Sequence, residues 1–308
     1  LRELRREYDG PVFTFEVGQY EILPDFDELS LFKGITRPDN LLHIQERAEE
    51  RGFLSSWKKW VEATGEISLL GYREEIEAVL RTKSLSGISL LGLQDFLGQG
   101  TALVGMLNSH LQPKPFSFAQ PERFRAFFAP VLPLAALEKS TYSASESIKI
   151  RVRLANYGKK DIYEPWVISI RVGEKILEQE KLPAVVCPSG ELSEIGEVSF
   201  SLEKIIKPSR LELILQVGSY TNSYPLWVYP DFSLSSPKNI TVTRKIFHAL
   251  AALEKGETVF LDPPASQEHF PHSIQAQFTT DFWSVGTFPK QSGFMGCYMD
   301  PSHPVFAQ

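Results

Sequence analysis

The chain has 308 residues, of which 43% are hydrophobic and 12% aromatic, enough apolar material for two or three packed domains. Its 32 basic and 38 acidic residues give a net charge of −6, and no basic run is present to neutralise phosphates, so neither nucleic acid nor an anionic membrane is an expected partner. No run of about 18 apolar residues occurs, which argues against a membrane-spanning helix.

The first informative segment is a short apolar strand that ends in a carboxylate. Leu1–Tyr8 is typical of the last turns of a helix, and Val12–Phe15 has the character of a buried strand. Glu16 follows at the carboxyl end, where α/β barrel enzymes carry catalytic groups, so it is the candidate nucleophile. A structural carboxylate paired at a strand end is the alternative. Gln19 and Tyr20 follow the glycine turn, and we predict that they bind substrate or position the acid, although either could satisfy loop backbone instead.

Helical and strand patterns alternate up to about residue 134. Helix signals cover Pro38 to Arg51 and Leu69 to Leu80, and Ile88–Gly100 is predicted to be a second buried strand that ends in a glycine-rich turn. Strand, helix and strand in this order indicate a parallel unit of an α/β barrel. Asp95 would then lie on the same rim as Glu16, and two carboxylates at one rim suggest acid/base chemistry. The alternative is a buried aspartate bonded to loop amides.

The pattern changes to period two from about residue 135, which indicates an antiparallel β-sandwich to about residue 230. Turns rich in Gly, Pro and Asn separate its strands. The alternating apolar positions are Ile148 to Leu154, Trp166 to Val172 and Leu211 to Val217.

The last part of the chain, residues 231–308, has the pattern of an α/β domain. A helix carrying Ile246, Phe247, Leu250 and Leu253 stops at Gly256, and a short buried strand follows. We expect this domain to be incomplete, and we expect the chain to begin inside a barrel domain.

Several segments together resemble the later part of glycoside hydrolase family 2 enzymes of the β-galactosidase, β-glucuronidase and β-mannosidase type. The similar segments are Phe15–Gln19 with Pro24–Phe26 at the seventh barrel strand, Tyr72–Thr82 with Leu90–Ala102 at the last helix and eighth strand, Asn222–Pro230 at the end of the sandwich, and Phe278–Trp283 with Asp300–Pro304 in the following domain.

The resemblance implies a multidomain fold of mixed α/β and all-β type. Residues 1–134 would be the C-terminal strands of a TIM (β/α)8 barrel, 135–230 an immunoglobulin-like β-sandwich, and 231–308 the start of an α/β amidotransferase-like domain.

The resemblance also implies a retaining glycosidase in which Glu16 attacks the anomeric carbon and a second glutamate serves as acid and then base. In the family that glutamate lies on the fourth strand, so it would belong to a missing N-terminal part of the same polypeptide, and we expect this chain alone to be inactive. The resemblance gives Asp95 a substrate-binding or structural role and not an acid/base role. Galactosides, glucuronides and mannosides remain open as substrates. No cofactor or metal is expected, and a homo-oligomer is left open.

Three departures from the family pattern favour an alternative function. Phe15 stands where the family has histidine, Gly92 where it has aspartate and Leu97 where it has proline. These positions lie near the sugar pocket, so a non-catalytic carbohydrate-binding or scaffolding relative is the second hypothesis.

Overall fold

The computed structural model describes residues 3–35, 37–97, 101–231, 238–273, 277–278, 293–294, 298–300, 302 and 303. The protein is mostly β-sheet with some helices, a mixture of α/β and all-β parts, as the sequence predicts at this level. It divides into two compact units, of which the first comprises Leu1–Pro230 and Phe278–Gln308 and the second Asp231–Gln277. Within the described ranges, no helix combines the length and the apolar character needed to cross a membrane.

The N-terminal region, residues 3–130, contains the predicted parallel strand pair. Strand β1 pairs with β2 in parallel, and the helix that connects them buries Leu69, Tyr72 and Ile76, which recur at helical spacing along one face. The described elements are α1 (Leu4–Glu7), β1 (Phe13–Val17), α2 (Asp39–Glu50), α3 (Trp57–Leu80), β2 (Gly87–Leu90) and α4 (Pro121–Arg125), with 3-10 turns at Phe26–Leu31, Leu54–Ser56 and Ser117–Ala119.

Strand β2 is much shorter than the sequence predicts. It ends at Leu90, whereas the apolar run Ile88–Gly100 indicates a longer strand. Beyond Leu90 the chain leaves the sheet because other groups bind its backbone: Tyr72 Oη donates to Gly92 O at 3.1 Å, and Leu107 N donates to Leu93 O at 2.7 Å. Asp95 therefore lies in a loop after the strand and not at the strand end.

Residues 131–229, the two-sheet region, form a three-stranded and a five-stranded sheet that share one hydrophobic core. The alternating positions predicted from Ile148 to Leu154 and from Leu211 to Val217 are buried. The sheet orders are β3-β5-β8 and β4-β10-β9-β6-β7. The strands are β3 (Val131–Ala136), β4 (Thr141–Ser143), β5 (Ser147–Asn156), β6 (Trp166–Val172), β7 (Lys175–Leu182), β8 (Glu191–Ser201), β9 (Ser209–Val217) and β10 (Tyr220–Tyr229).

A buried carboxylate joins α3 to the two-sheet region. Glu77 is 2% exposed, and it accepts hydrogen bonds from Arg73 at 2.9 Å, Arg81 at 3.0 Å, Asn222 at 3.2 Å and Tyr224 at 2.8 Å. The first two donors lie one helical turn on either side of Glu77, and the other two lie on β10. Two of the segments that carry the family resemblance therefore meet at this network.

The second unit contains one β-α-β element. Strand β11 (Ile240–Thr243) pairs in parallel with β12 (Thr258–Leu261), and α5 (Ile246–Glu254) connects them. The sequence predicts the helix and the strand that follows it, but the prediction that this strand is buried is wrong, because Phe260 is 59% exposed. Outside this element, two short strands, β13 (Gln277–Phe278) and β14 (Gly293–Phe294), pair with each other, and Phe278 and β14 belong to the first unit. Most of the motif segments Phe278–Trp283 and Asp300–Pro304 lies outside the described residues.

Candidate functional site

Glu16 lies in a β-bulge at the carboxyl end of β1. The register runs Thr14 to Ile88 and then Val17 to Leu90, so β1 contains one residue more than its partner strand at this point. Glu16 has a φ of 57°, a left-handed conformation that costs a residue other than glycine about 1 kcal/mol. Bulges of this kind redirect a side chain, and the Glu16 carboxylate is exposed to solvent.

Gln19 contacts the candidate nucleophile directly. Its Nε2 donates to the Glu16 carbonyl oxygen at 2.9 Å and approaches Glu16 Oε2 at 3.3 Å. The amide therefore holds both the bulged backbone and the carboxylate. Of the four predicted site residues, the structure brings these two together.

Tyr20 is turned towards α3. Burial, together with a hydrogen bond to Glu75, raises the pKa of the Tyr20 phenol, which therefore remains protonated and donates to that carboxylate. Glu75 also accepts from Gly18 N at 2.8 Å, so it ties the turn after β1 to the helix. The ring of Tyr20 packs edge-on against Tyr72, with centroids 6.4 Å apart. In this arrangement Tyr20 supports the turn that carries Glu16.

Asp95 is buried in an ion pair. It is 3% exposed, and its carboxylate accepts from Lys114 Nζ at 3.0 Å and 2.8 Å and from Gly105 N at 2.8 Å. Burial raises the pKa of Asp95, whereas the lysine and the amide oppose that rise. Gly105 is required here because a Cβ would lie 2.4 Å from the backbone of Gln94. The geometry is that of the structural alternative, a carboxylate bonded to a loop amide.

Glu28 is a second buried acid that the sequence reasoning missed. It is 8% exposed, and its Oε1 has no hydrogen-bond partner among the described residues. Burial raises the pKa of Glu28 to about 7; Lys114 lowers it, whereas Asp95 and Asp25 raise it further. Three carboxyl groups thus share the surroundings of one lysine. A lysine between two prolines, Pro113 and Pro115, is the only sequence signal that marks this loop as unusual.

The loops that follow β1 and β2 form one continuous rim. Leu91 N donates to Val17 O at 3.1 Å, and Ile22 N donates to Leu103 O at 2.9 Å. Tyr72 Oη reaches the second loop at Val104 O, at 2.9 Å. Glu16 is exposed at the end of β1, whereas Glu28 and Asp95 in these loops are buried. Among the described residues, no group of three His, Cys, Asp or Glu side chains is arranged to hold a metal ion.

Comparison with known proteins gives two domain matches without assigned function. A model described as Domain of unknown function (DUF8488) matches residues 146–230, and one described as Domain of unknown function (DUF8487) matches residues 241–308. No curated protein matches the chain.

Similarity to solved structures is low. The alkylpurine DNA glycosylase AlkC of Pseudomonas fluorescens is 14% identical with a TM-score of 0.28, over 35% of this chain and 33% of that chain. The β-glucosidase EmGH1 of Erythrobacter marinus is 12% identical with a TM-score of 0.24, over 32% of this chain and 15% of that chain. The CARDB domain of the PF1109 protein of Pyrococcus furiosus is 8% identical with a TM-score of 0.26, over 33% of this chain and 94% of that chain. The chain thus spans a third or less of the first two proteins, and none of these TM-scores indicates a shared overall fold.

Proposed function

We propose that this chain is part of a retaining β-glycosidase and that Glu16 is its nucleophile. The observation that carries the proposal is the position of Glu16, an exposed carboxylate in a left-handed bulge at the carboxyl end of a parallel strand. Backbone strain of this kind clusters at active sites, and parallel α/β enzymes place their chemistry at this end of the strands.

In the proposed reaction the Glu16 carboxylate attacks the anomeric carbon and forms a glycosyl-enzyme intermediate, which water then hydrolyses. Gln19 holds the carboxylate in place through its amide. The acid/base glutamate, which must lie about 5 to 5.5 Å from the nucleophile, comes from an earlier strand of the same polypeptide. In this proposal residues 1–134 belong to a TIM barrel and residues 135–230 to an immunoglobulin-like sandwich.

A test of this proposal uses the intact protein that contains this sequence. The protein is incubated with 2-deoxy-2-fluoro β-glycosides of galactose, glucuronic acid and mannose, and intact mass is measured for the wild type and Glu16→Gln. We expect one sugar to add to the wild type alone, on the peptide that contains Glu16. A folded wild-type protein that gains no mass with any of the three, or an adduct that persists in Glu16→Gln, would contradict the assignment.

A second candidate function is carbohydrate binding without catalysis. It is favoured by two aromatic side chains next to the bulge, Phe13 at 60% and Phe15 at 79% exposure, which offer sugar-stacking surfaces where the family has a histidine in place of Phe15. Binding of a β-glycoside that is weakened by Phe15→Ala, without any adduct on Glu16, would support this function over hydrolysis.

A further inference from the structure

A cavity lies at one end of the two-sheet region, apart from the loops around Glu16. Its volume is about 510 Å³, within the 300–1,000 Å³ range of small-molecule sites. It is formed by the loop between β5 and β6 (residues 157–165) and by the turn between β9 and β10 (residues 218–219). Loops at the ends of β-sandwiches commonly carry binding sites because the sheets hold them rigidly.

The wall of this cavity is built around a buried amide. Asn156 is fully buried, and its Nδ2 donates to Lys160 O and Cys187 O, both at 2.9 Å, while its Oδ1 accepts from Gly158 N at 3.1 Å. Ile162 and Cys187 exchange two backbone hydrogen bonds at 3.0 and 2.9 Å. The loop is therefore fixed in place before any ligand arrives, which lowers the entropic cost of binding.

The turn between β9 and β10, which forms the other wall of the cavity, is held in place by contacts with the loop. Gly218 has a φ of +54°, and a Cβ added there would lie 3.3 Å from Glu164 Cγ, so the stem of this glutamate rests on the turn. Ser189 N donates to Asp161 Oδ1 at 2.9 Å, which fixes the second acid of the loop.

The surface of the cavity combines aromatic rings with balanced charges. Tyr163 is 66% exposed and Tyr220 is 38% exposed. Two ammonium groups and two carboxylates line the same space, so the net charge of the lining is zero. These four residues are Lys159, Lys160, Asp161 and Glu164.

We propose that this cavity binds a neutral oligosaccharide, with Tyr163 and Tyr220 as stacking surfaces. A tyrosine side chain offers a large amphipathic contact surface and loses little conformational entropy on binding. Carboxylates accept hydrogen bonds from sugar hydroxyls, and ammonium groups donate hydrogen bonds to them. The balance of charge disfavours a uronate or a sulfated sugar. The choice of a saccharide rests on the proposed function, although the cavity is distinct from the loops around Glu16.

The test measures binding in the Glu16→Gln background, so that no substrate is consumed. Neutral β-1,4-linked tetrasaccharides of galactose, mannose and glucose are titrated by calorimetry into the parent protein and into Tyr163→Ala, Tyr163→Phe and Tyr220→Ala. We expect at least one sugar to bind at this site, each alanine variant to weaken that binding about tenfold, and the phenylalanine variant to retain it.

The matched control is Tyr229→Ala. Tyr229 is 45% exposed and ends the strand that Tyr220 begins, about 30 Å away, so its loss should leave affinity unchanged. Equal affinity in Tyr163→Ala and in the parent would overturn the proposal, as would no binding of any of the three sugars or preference for a uronate tetrasaccharide. The labelling of Glu16 is measured separately. If labelling fails while the alanine variants still lose affinity, the cavity proposal stands; if labelling succeeds while Tyr163→Ala and Tyr220→Ala bind as the parent does, the cavity proposal alone is wrong.

Discussion

The buried carboxylate of Glu77 gives the sharpest stability prediction. Glu77→Gln keeps the shape of the side chain but removes the carboxylate that, among the described residues, pairs with both Arg73 and Arg81. Breaking a buried ion pair by removing one partner costs about 3 to 5 kcal/mol. Arg73 keeps its bonds to Asn222 Oδ1 at 2.9 Å and Ser223 O at 2.6 Å, so we expect the lower end, about 3 kcal/mol.

Glu66→Gln is the matched control because Glu66 also lies on α3 and pairs with an arginine. Its side chain is 38% exposed, and it accepts two hydrogen bonds from Arg123 and one from Ser117 Oγ at 2.9 Å. Because solvent screens an exposed pair, its loss should cost less than about 1 kcal/mol. Equilibrium unfolding in urea, followed by far-UV circular dichroism, measures both variants against the wild type. In a thermal scan the Glu77 variant should melt about 10 °C lower. If the two variants unfold within 1 kcal/mol of each other, the network contributes no more than a surface pair and the reasoning is refuted.

Three further predictions concern the rim around the candidate site. Gly18→Ala should destabilise by about 3 kcal/mol, because its φ is +88° and a Cβ would lie 1.8 Å from a ring carbon of the buried tyrosine of α3. Gly52→Ala, with a φ of +71° and nothing within 4 Å of the added carbon, should cost only about 1 kcal/mol in the same urea titration. Lys114→Met should cost about 3 to 5 kcal/mol at pH 7, since Asp95 would remain buried without its cation, and a cost below 1 kcal/mol would contradict the ion pair. Glu28 binds a proton in the folded protein up to about pH 7 and loses it near pH 4.5 when unfolded, so its contribution to stability falls as pH rises through this window, by about 2 kcal/mol after allowance for solvent screening. Glu28→Gln should therefore match the wild type near pH 4 and be more stable at pH 8, and parallel stability curves for the two proteins would exclude this titration.

Local patterns in the sequence predict those parts of the fold in which the burial of a residue depends on the residues next to it in sequence. The period-two positions of β5 and β9 are buried because alternate residues of a strand face the same side. Apolar residues at helical spacing predict the helix that buries Tyr72. The prediction that the strands before and after it, β1 and β2, pair in parallel is confirmed. The resemblance to a glycosidase family stays a prediction, as do the roles of the four site residues.

Long-range contacts explain what local patterns missed. The run after Leu90 is as apolar as a strand, but hydrogen bonds from residues 20 and 14 positions away, Tyr72 to Gly92 and Leu107 to Leu93, take its backbone out of the sheet. The buried charged groups Glu28, Asp95 and Lys114 are far apart in sequence and have no shared spacing. Only the folded chain shows that Lys114 pairs with Asp95 and also acts on Glu28.

The contacts of Glu77 also bear on how this protein could be recombined. An exchange of the two-sheet region for that of another protein, cut near residue 131, would separate the carboxylate from Asn222 and Tyr224, and would leave a charged cluster on α3 facing a foreign surface. Such a chimera should fold only if the new sheet has an amide and a phenol at matching positions. The alternative is to replace Glu77, Arg73 and Arg81 together, so that no unpaired charge is buried. The contact between α3 and β10 therefore depends on residues from both segments, so a stable chimera needs Glu77 together with the groups that bind it.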